Sequence, residues 1–76
     1  MKKLSELKVG DKGFVSSIQD EFLEQQFLEM GVTPGQMIEV ERISPFSDPI
    51  AVVVSNLLLS VRLKDANNII ISLYNE

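Results

Sequence analysis

The side chains able to do chemistry in this chain of 76 residues are 11 carboxylates, 7 lysines and arginines and 1 tyrosine, with no histidine and no cysteine. Without histidine the commonest general base and transition-metal ligand is missing. Without cysteine there is no thiolate nucleophile, no thiolate metal site and no disulfide. No Ser/His/Asp or Cys/His constellation can therefore be assembled. No glycine-rich phosphate loop of the P-loop type is present either. The composition predicts a protein that is not an enzyme and carries no cofactor.

Two small groups of charges remain to be weighed. Asp20, Glu21 and Glu24 would lie side by side on a helix and could face a hard cation. The same three residues suit the first turn of a helix, where negative charge complements the dipole, and this second reading is preferred. Arg42 and Arg62 could in principle supply positive charge to a partner's transition state. Arg62 is expected within an otherwise apolar strand, which favours a structural ion pair or a snorkelling stem. No metal site is expected from this residue set.

The formal net charge of −4 is unevenly spread, with Lys2, Lys3, Lys8 and Lys12 set against Glu6 and Asp11 at the start of the chain. The remainder holds only Arg42, Arg62 and Lys64 against 9 carboxylates, so it repels phosphate, and nucleic acid is not an expected partner. Ser5, Glu6 and Lys8 interrupt residues 4–9, so no secretory leader is read there. The longest apolar runs, such as Ile50–Val54, are far too short to span a bilayer. A soluble cytoplasmic chain forming a single domain over residues 1–76 is the expectation, with any membrane reached only through a partner.

The elements that must position these side chains follow from periodicity and turn chemistry. Leu4 and Leu7 share a face of a short helical turn near residues 4–8, before a corner at Gly10. Residues 12–19 alternate as a strand, with Phe14, Ser16 and Ile18 expected on one face and Val15 and Ser17 on the other. Residues 21–30 form the one clear helix: Leu23, Phe27 and Met30 make an apolar stripe that Phe22 widens, and Asp20 is the expected N-cap. Gly31 then ends the helix with Val32 as its apolar companion, and Thr33-Pro34-Gly35 reverses the chain. Strands are expected over residues 36–43, 50–55, 57–63 and 68–73, with a proline loop at residues 44–49 and a helical turn at residues 64–67. Five short strands and one inserted helix predict a mainly all-β fold, a small closed or nearly closed antiparallel barrel, closure being what removes exposed edges.

The late strands are more apolar than one buried face requires. With Ile50, Val52, Val54, Leu57, Leu59, Ile69 and Ile71 facing the core, Val53, Leu58 and Ile70 must point outward. Either the helix or the N-terminal turn covers them, or they form a docking patch for a partner or a second copy. Phe46, at the tip of the proline loop, is a further candidate anchor.

The order of these signals resembles the FeoA family over nearly the whole chain, from Leu4 to Leu73. The resemblance is carried by Leu7 with Gly10 and Gly13, by Phe27-Leu28-Glu29-Met30-Gly31-Val32-Thr33-Pro34-Gly35, by Pro45 with Asp48-Pro49, and by Val61-Arg62-Leu63-Lys64-Asp65-Ala66. It implies an SH3-like five-stranded barrel with an inserted helix. It also implies a role as a small cytosolic accessory of a bacterial membrane transporter for ferrous iron that carries a GTPase domain. The chain departs from the family at Glu24-Gln25-Gln26, where basic residues are common, and at Ser47, where glycine is common.

On that basis the partner-binding residues expected are Gln26, Glu29, Met30, Val32, Thr33 and Pro34 at the helix end, with Phe46, Val53, Leu58 and Ile70. Two other readings stand beside it. One is a metal-responsive module like those attached to metal-dependent transcriptional repressors. The other is a generic SH3-like module for short peptides, which would need an aromatic groove from Phe14, Phe22, Phe27, Phe46 and Tyr74, three of them expected in the core.

Overall fold

A computed structural model describes residues 1–74. Every strand expected from the sequence is present: β2 (Lys12–Ile18), β3 (Met37–Ile43), β4 (Ile50–Val54), β5 (Leu57–Val61) and β6 (Ile69–Leu73). A sixth, β1 (Lys2–Lys3), pairs antiparallel with β6 through Lys2–Ile71 and Lys3–Ile70. Two lysines carry no apolar alternation, so this strand gives no sequence signal; the ladder beside it recruits it. The strands form one antiparallel sheet in the order β1-β6-β2-β3-β4-β5. The hydrogen-bonded ladder therefore has two ends, β1 and β5, where full closure of a barrel would leave none.

The helix α1 (Glu21–Glu29) joins β2 to β3, and a second, α2 (Leu63–Ala66), joins β5 to β6. Asp20 caps α1 by accepting hydrogen bonds from the N–H groups of Phe22 and Leu23 at 2.8 and 3.1 Å. Leu23 and Phe27 bury the inner face of the helix. Burying side chains of this size stabilises the fold by roughly 1.5–3 kcal/mol each. At the other end the Val32 N–H reaches the Phe27 carbonyl at 2.8 Å and the Gly31 N–H reaches that of Leu28 at 2.9 Å. With Gly31 at φ +86 this is a Schellman cap, and Val32 becomes part of the core. Gly35, at φ +97, then closes a type II turn whose Gln36 N–H meets the Thr33 carbonyl at 3.3 Å.

The core collects one face of the sheet, the inner face of α1, the N-terminal turn and α2, with Leu4, Val15, Ile38, Val52, Ile69 and Ile71 among its most enclosed members. Gly13 serves it by being small: a Cβ there would overlap the Ser72 carbonyl and stand 2.7 Å from Ile71 Cγ2.

Three expectations about facing are corrected. Phe14, Ser16 and Ile18 do not share a face, because the register shifts between Val15 and Ser17, where a bulge at Ser16 lets both Val15 and Ile18 point inward. Phe14 lies outside, its ring stacked 6.3 Å from Tyr74. Leu57 is half exposed, since it ends the edge strand at a hairpin turn, whereas Leu59 packs partly against the core. Of the five aromatic residues only Phe27 is buried; Phe22 falls on the outer side of α1, and Met30, its C-cap, is exposed too, so the apolar stripe narrows to Leu23 and Phe27.

Candidate functional site

The binding residues expected from the sequence separate into three places. The first is the end of α1 and its turn, where Gln26, Glu29, Met30 and Pro34 are exposed and Thr33 is half-buried. Val32 is 2% exposed and cannot touch a partner, because the cap turns it inward. Its place in the expected interface is withdrawn. Gln36 ties this turn to the next hairpin. Its Oε1 accepts from the Thr33 N–H at 2.8 Å, and its Nε2 donates to Ser55 Oγ at 3.0 Å. Sequence reading passed over Gln36, although its polar amide beside a Pro-Gly turn is the signal to follow.

The second place is the proline loop. Pro45–Ser47 makes a single tight turn in which Phe46 takes φ +67 and Ser47 φ +65. Both lie in the left-handed region that costs a residue with a Cβ about 1–2 kcal/mol. The Phe46 ring is 97% exposed. Asp48 holds the base of the loop by accepting the Leu63 N–H at 3.1 Å, and the Ser44 N–H reaches the Pro49 carbonyl at 3.2 Å. An apolar ring is thus carried outward on a braced turn.

The third place is the outer face of the sheet. Val53 and Leu58 stand directly opposite each other on β4 and β5, with Glu39 of β3 next in the row. Leu58 is 63% exposed and Val53 is half-buried. Ile70 also faces out and is half-buried, but β2 and β3 lie between its strand and β4, so it belongs to a different part of the surface. Neither α1 nor the N-terminal turn covers Leu58.

The charged candidates remain dispersed. Asp20 is occupied as the helix cap, and Glu21 and Glu24 stay in the first turn of α1. No group of three or more acidic residues among the described residues could hold a metal ion. Arg42 is exposed on β3, and Arg62 is exposed just outside β5, at the N-cap of α2 and not within a strand. Arg62, with Asp48, Pro49 and Ser60, lines an open depression of about 530 Å³. A second depression, of about 260 Å³, lies among Gly10, Asp11, Lys12, Leu73 and Tyr74. No helix among the described residues is long and apolar enough to cross a membrane.

The fold and the exposed apolar groups together define a small SH3-like β module. The sequence model of the FeoA domain matches residues 2–73, and the chain belongs to the FeoA family. Among solved structures, the FeoA protein of Chlorobium tepidum superposes with a TM-score of 0.89 at 32% identity, over 96% of this chain and 70% of that one. A FeoA-like protein of Clostridium acetobutylicum gives 0.86 at 30% identity, over 100% and 93%. The zinc complex of Stenotrophomonas maltophilia FeoA gives 0.81 at 22% identity, over 95% and 91%; that protein is described as a prokaryotic SH3 domain protein suggested to act as a ferrous iron transport activating factor. A manganese-dependent transcriptional repressor shares the fold at 22% identity over 41% of its own length. No curated protein sequence matches the chain.

Proposed function

We propose that this chain is a cytosolic accessory protein of ferrous iron uptake that docks on the cytoplasmic part of the membrane transporter and performs no chemistry of its own. Membership of the FeoA family supports the association with ferrous iron transport. The observation that carries the docking reading is Phe46, an aromatic ring 97% exposed on a turn that is braced by Asp48. An apolar anchor already held in place loses little conformational entropy on binding. The Phe46 loop would supply the anchor, and the exposed residues Gln26, Glu29, Met30 and Pro34 a second contact, with Thr33 at its edge. Val53 would extend the contact onto the outer face of the sheet, whereas Ile70, on a separate part of that surface, lies outside it. The GTPase domain that the family resemblance implies is the natural cytoplasmic target.

The test is titration calorimetry of this chain against the purified cytoplasmic domain of a ferrous iron transporter. Binding that weakens at least tenfold in Phe46→Ala supports the reading. No heat of binding, together with normal ferrous iron uptake in a deletion strain, overturns it.

A further inference from the structure

The two ends of the sheet are protected very differently. At one end β1 is two residues long and both are lysines, a short and charged edge that resists pairing with another strand. At the other end β5 runs for five residues, Leu57–Val61, and pairs with β4 without a register shift. Residues 50–61 contain no charge and no proline. Charge, proline and a bulge, three devices that blunt an edge, are therefore absent from β5.

The backbone at this edge is open. The hairpin from β4 turns through Ser55 and Asn56, at φ +50 and +68, as expected of a two-residue type I′ turn. In such a hairpin the flanking residues Val54 and Leu57 form a hydrogen-bonded pair, and hydrogen-bonded pairs then recur at every second position. Leu57, Leu59 and Val61 thus turn their peptide groups toward β4, and Leu58 and Ser60 turn theirs to the free edge. No other described element donates a backbone hydrogen bond to residues 57–60 or accepts one from them. The side chains match this picture: Leu58 is 63% and Leu57 46% exposed.

We infer that β5 is the contact edge of a symmetric homodimer, in which β5 of a second copy pairs antiparallel with it and joins the two sheets. The two-fold arrangement centres on Leu59. Leu58 of each copy then stands opposite Ser60 of the other, and each of these two pairs exchanges both N–H···O bonds, which satisfies the open peptide groups. On the inner side Leu57 meets Val61 of the second copy and the two Leu59 side chains meet each other; on the outer side the exposed Leu58 covers Ser60. A second copy is matched to this edge by self-complementarity: residues 50–61 bear no charge, and the open peptide groups of Leu58 and Ser60 pair with those of their two-fold mates. It is a stretch of edge where two such chains approach without direct repulsion.

The test is sedimentation equilibrium of the intact chain across a concentration series, paired with hydrogen exchange. The weight-average mass is expected to rise from 8.5 kDa toward twice that value, and the amides of Leu58 and Ser60 to become protected in step with it. Leu58→Lys, which adds an edge charge on an already exposed side chain, should raise the dimer dissociation constant at least tenfold. Ser60→Pro, which removes an edge donor outside the β4 ladder, should do the same. Phe46→Ala should leave it unchanged. A monomer at every concentration up to about 1 mM, or a dimer indifferent to both edge variants, overturns the inference. So does a chain that stays monomeric while Leu58→Lys abolishes binding to the transporter domain, since the edge then belongs to the transporter. A dimer with no affinity for the transporter upholds this inference and overturns only the docking reading.

Discussion

Asp48, at the foot of the proline loop, accepts the backbone N–H of Leu63 at 3.1 Å and so caps a helix fifteen residues further along the chain. The local N-cap of α2, Arg62, makes no side-chain cap, and the first-turn N–H groups of a helix have no partner inside it. The loop supplies what the local sequence lacks. Asp48→Ala should cost about 1 kcal/mol, the usual worth of a helix cap, and Asp48→Asn clearly less, because the amide oxygen can still accept. Urea denaturation of the two variants measures this; equal loss in both would show that the hydrogen bond is not what Asp48 contributes.

Phe46 and Ser47 separate stability from recognition. Both have positive φ, yet the exposed Phe46 ring has no core contact to lose. Phe46→Ala should therefore shift folding stability by no more than about 0.5 kcal/mol while it weakens docking. Ser47→Gly relieves a left-handed residue and should raise stability by up to about 1 kcal/mol, offset in part by the chain entropy glycine adds to the unfolded state. Thermal unfolding of both variants beside calorimetric binding decides it. A large stability loss in Phe46→Ala would mean the ring is a structural element and not an anchor.

Much of the fold is legible in the sequence where a residue type has a single local job. Asp20, Gly31 and Gly35 each mark a backbone event that only short-range chemistry decides, and each is found where that chemistry puts it. The alternation of Ile38 with Val40 and of Ile50 with Val52 and Val54 likewise reports burial directly. What is not legible depends on neighbours distant in sequence. The bulge at Ser16 is set by the β2–β6 register, and it brings Val15 onto the inner face with Ile18 and leaves Phe14 outside. The strand at Lys2–Lys3 exists because β6 offers it a ladder. At the candidate site, Phe46 was readable because a proline loop must be exposed. Val32 reads both as the cap's apolar companion and as a contact residue, and only the first holds, because the contact that completes the cap is made inside the core. Gln36 was missed because its Ser55 partner lies nineteen positions away.

Gly13 should be among the least replaceable residues of the chain. Its φ is ordinary, so the constraint is space and not backbone conformation: an added Cβ overlaps the Ser72 carbonyl and stands 3.0 Å from Leu73 Cα, both backbone atoms of the paired strand. Backbone cannot yield as a flexible side chain does, so Gly13→Ala must spread β2 from β6. A loss of about 3 kcal/mol is expected, at the upper end of overpacking effects, and it would lower the urea midpoint by about 1–3 M. Gly31→Ala meets no atom within 4 Å and has only its φ of +86 to overcome, so about 1–2 kcal/mol is expected there. If the two alanine variants prove equally stable, crowding at Gly13 is not the constraint.

Gln36 joins two turns that face each other at one end of the sheet, and its two hydrogen bonds can be removed one at a time. Gln36→Glu keeps an acceptor for the Thr33 N–H and loses the donor toward Ser55, whereas Gln36→Ala loses both. The Thr33 bond is the partly buried one and the Ser55 bond is exposed, so their worth is unequal. Gln36→Ala should cost about 1–2 kcal/mol, because a partly buried N–H is left without its partner. Gln36→Glu should cost less than about 0.5 kcal/mol, the scale of an exposed polar contact. In a double-mutant cycle with Ser55→Ala, the Gln36→Ala loss should be nearly additive, since the coupling resides in the exposed bond alone. A coupling energy above about 1 kcal/mol would instead make the bridge between the two turns, and not the Thr33 contact, the element that holds this end of the sheet together.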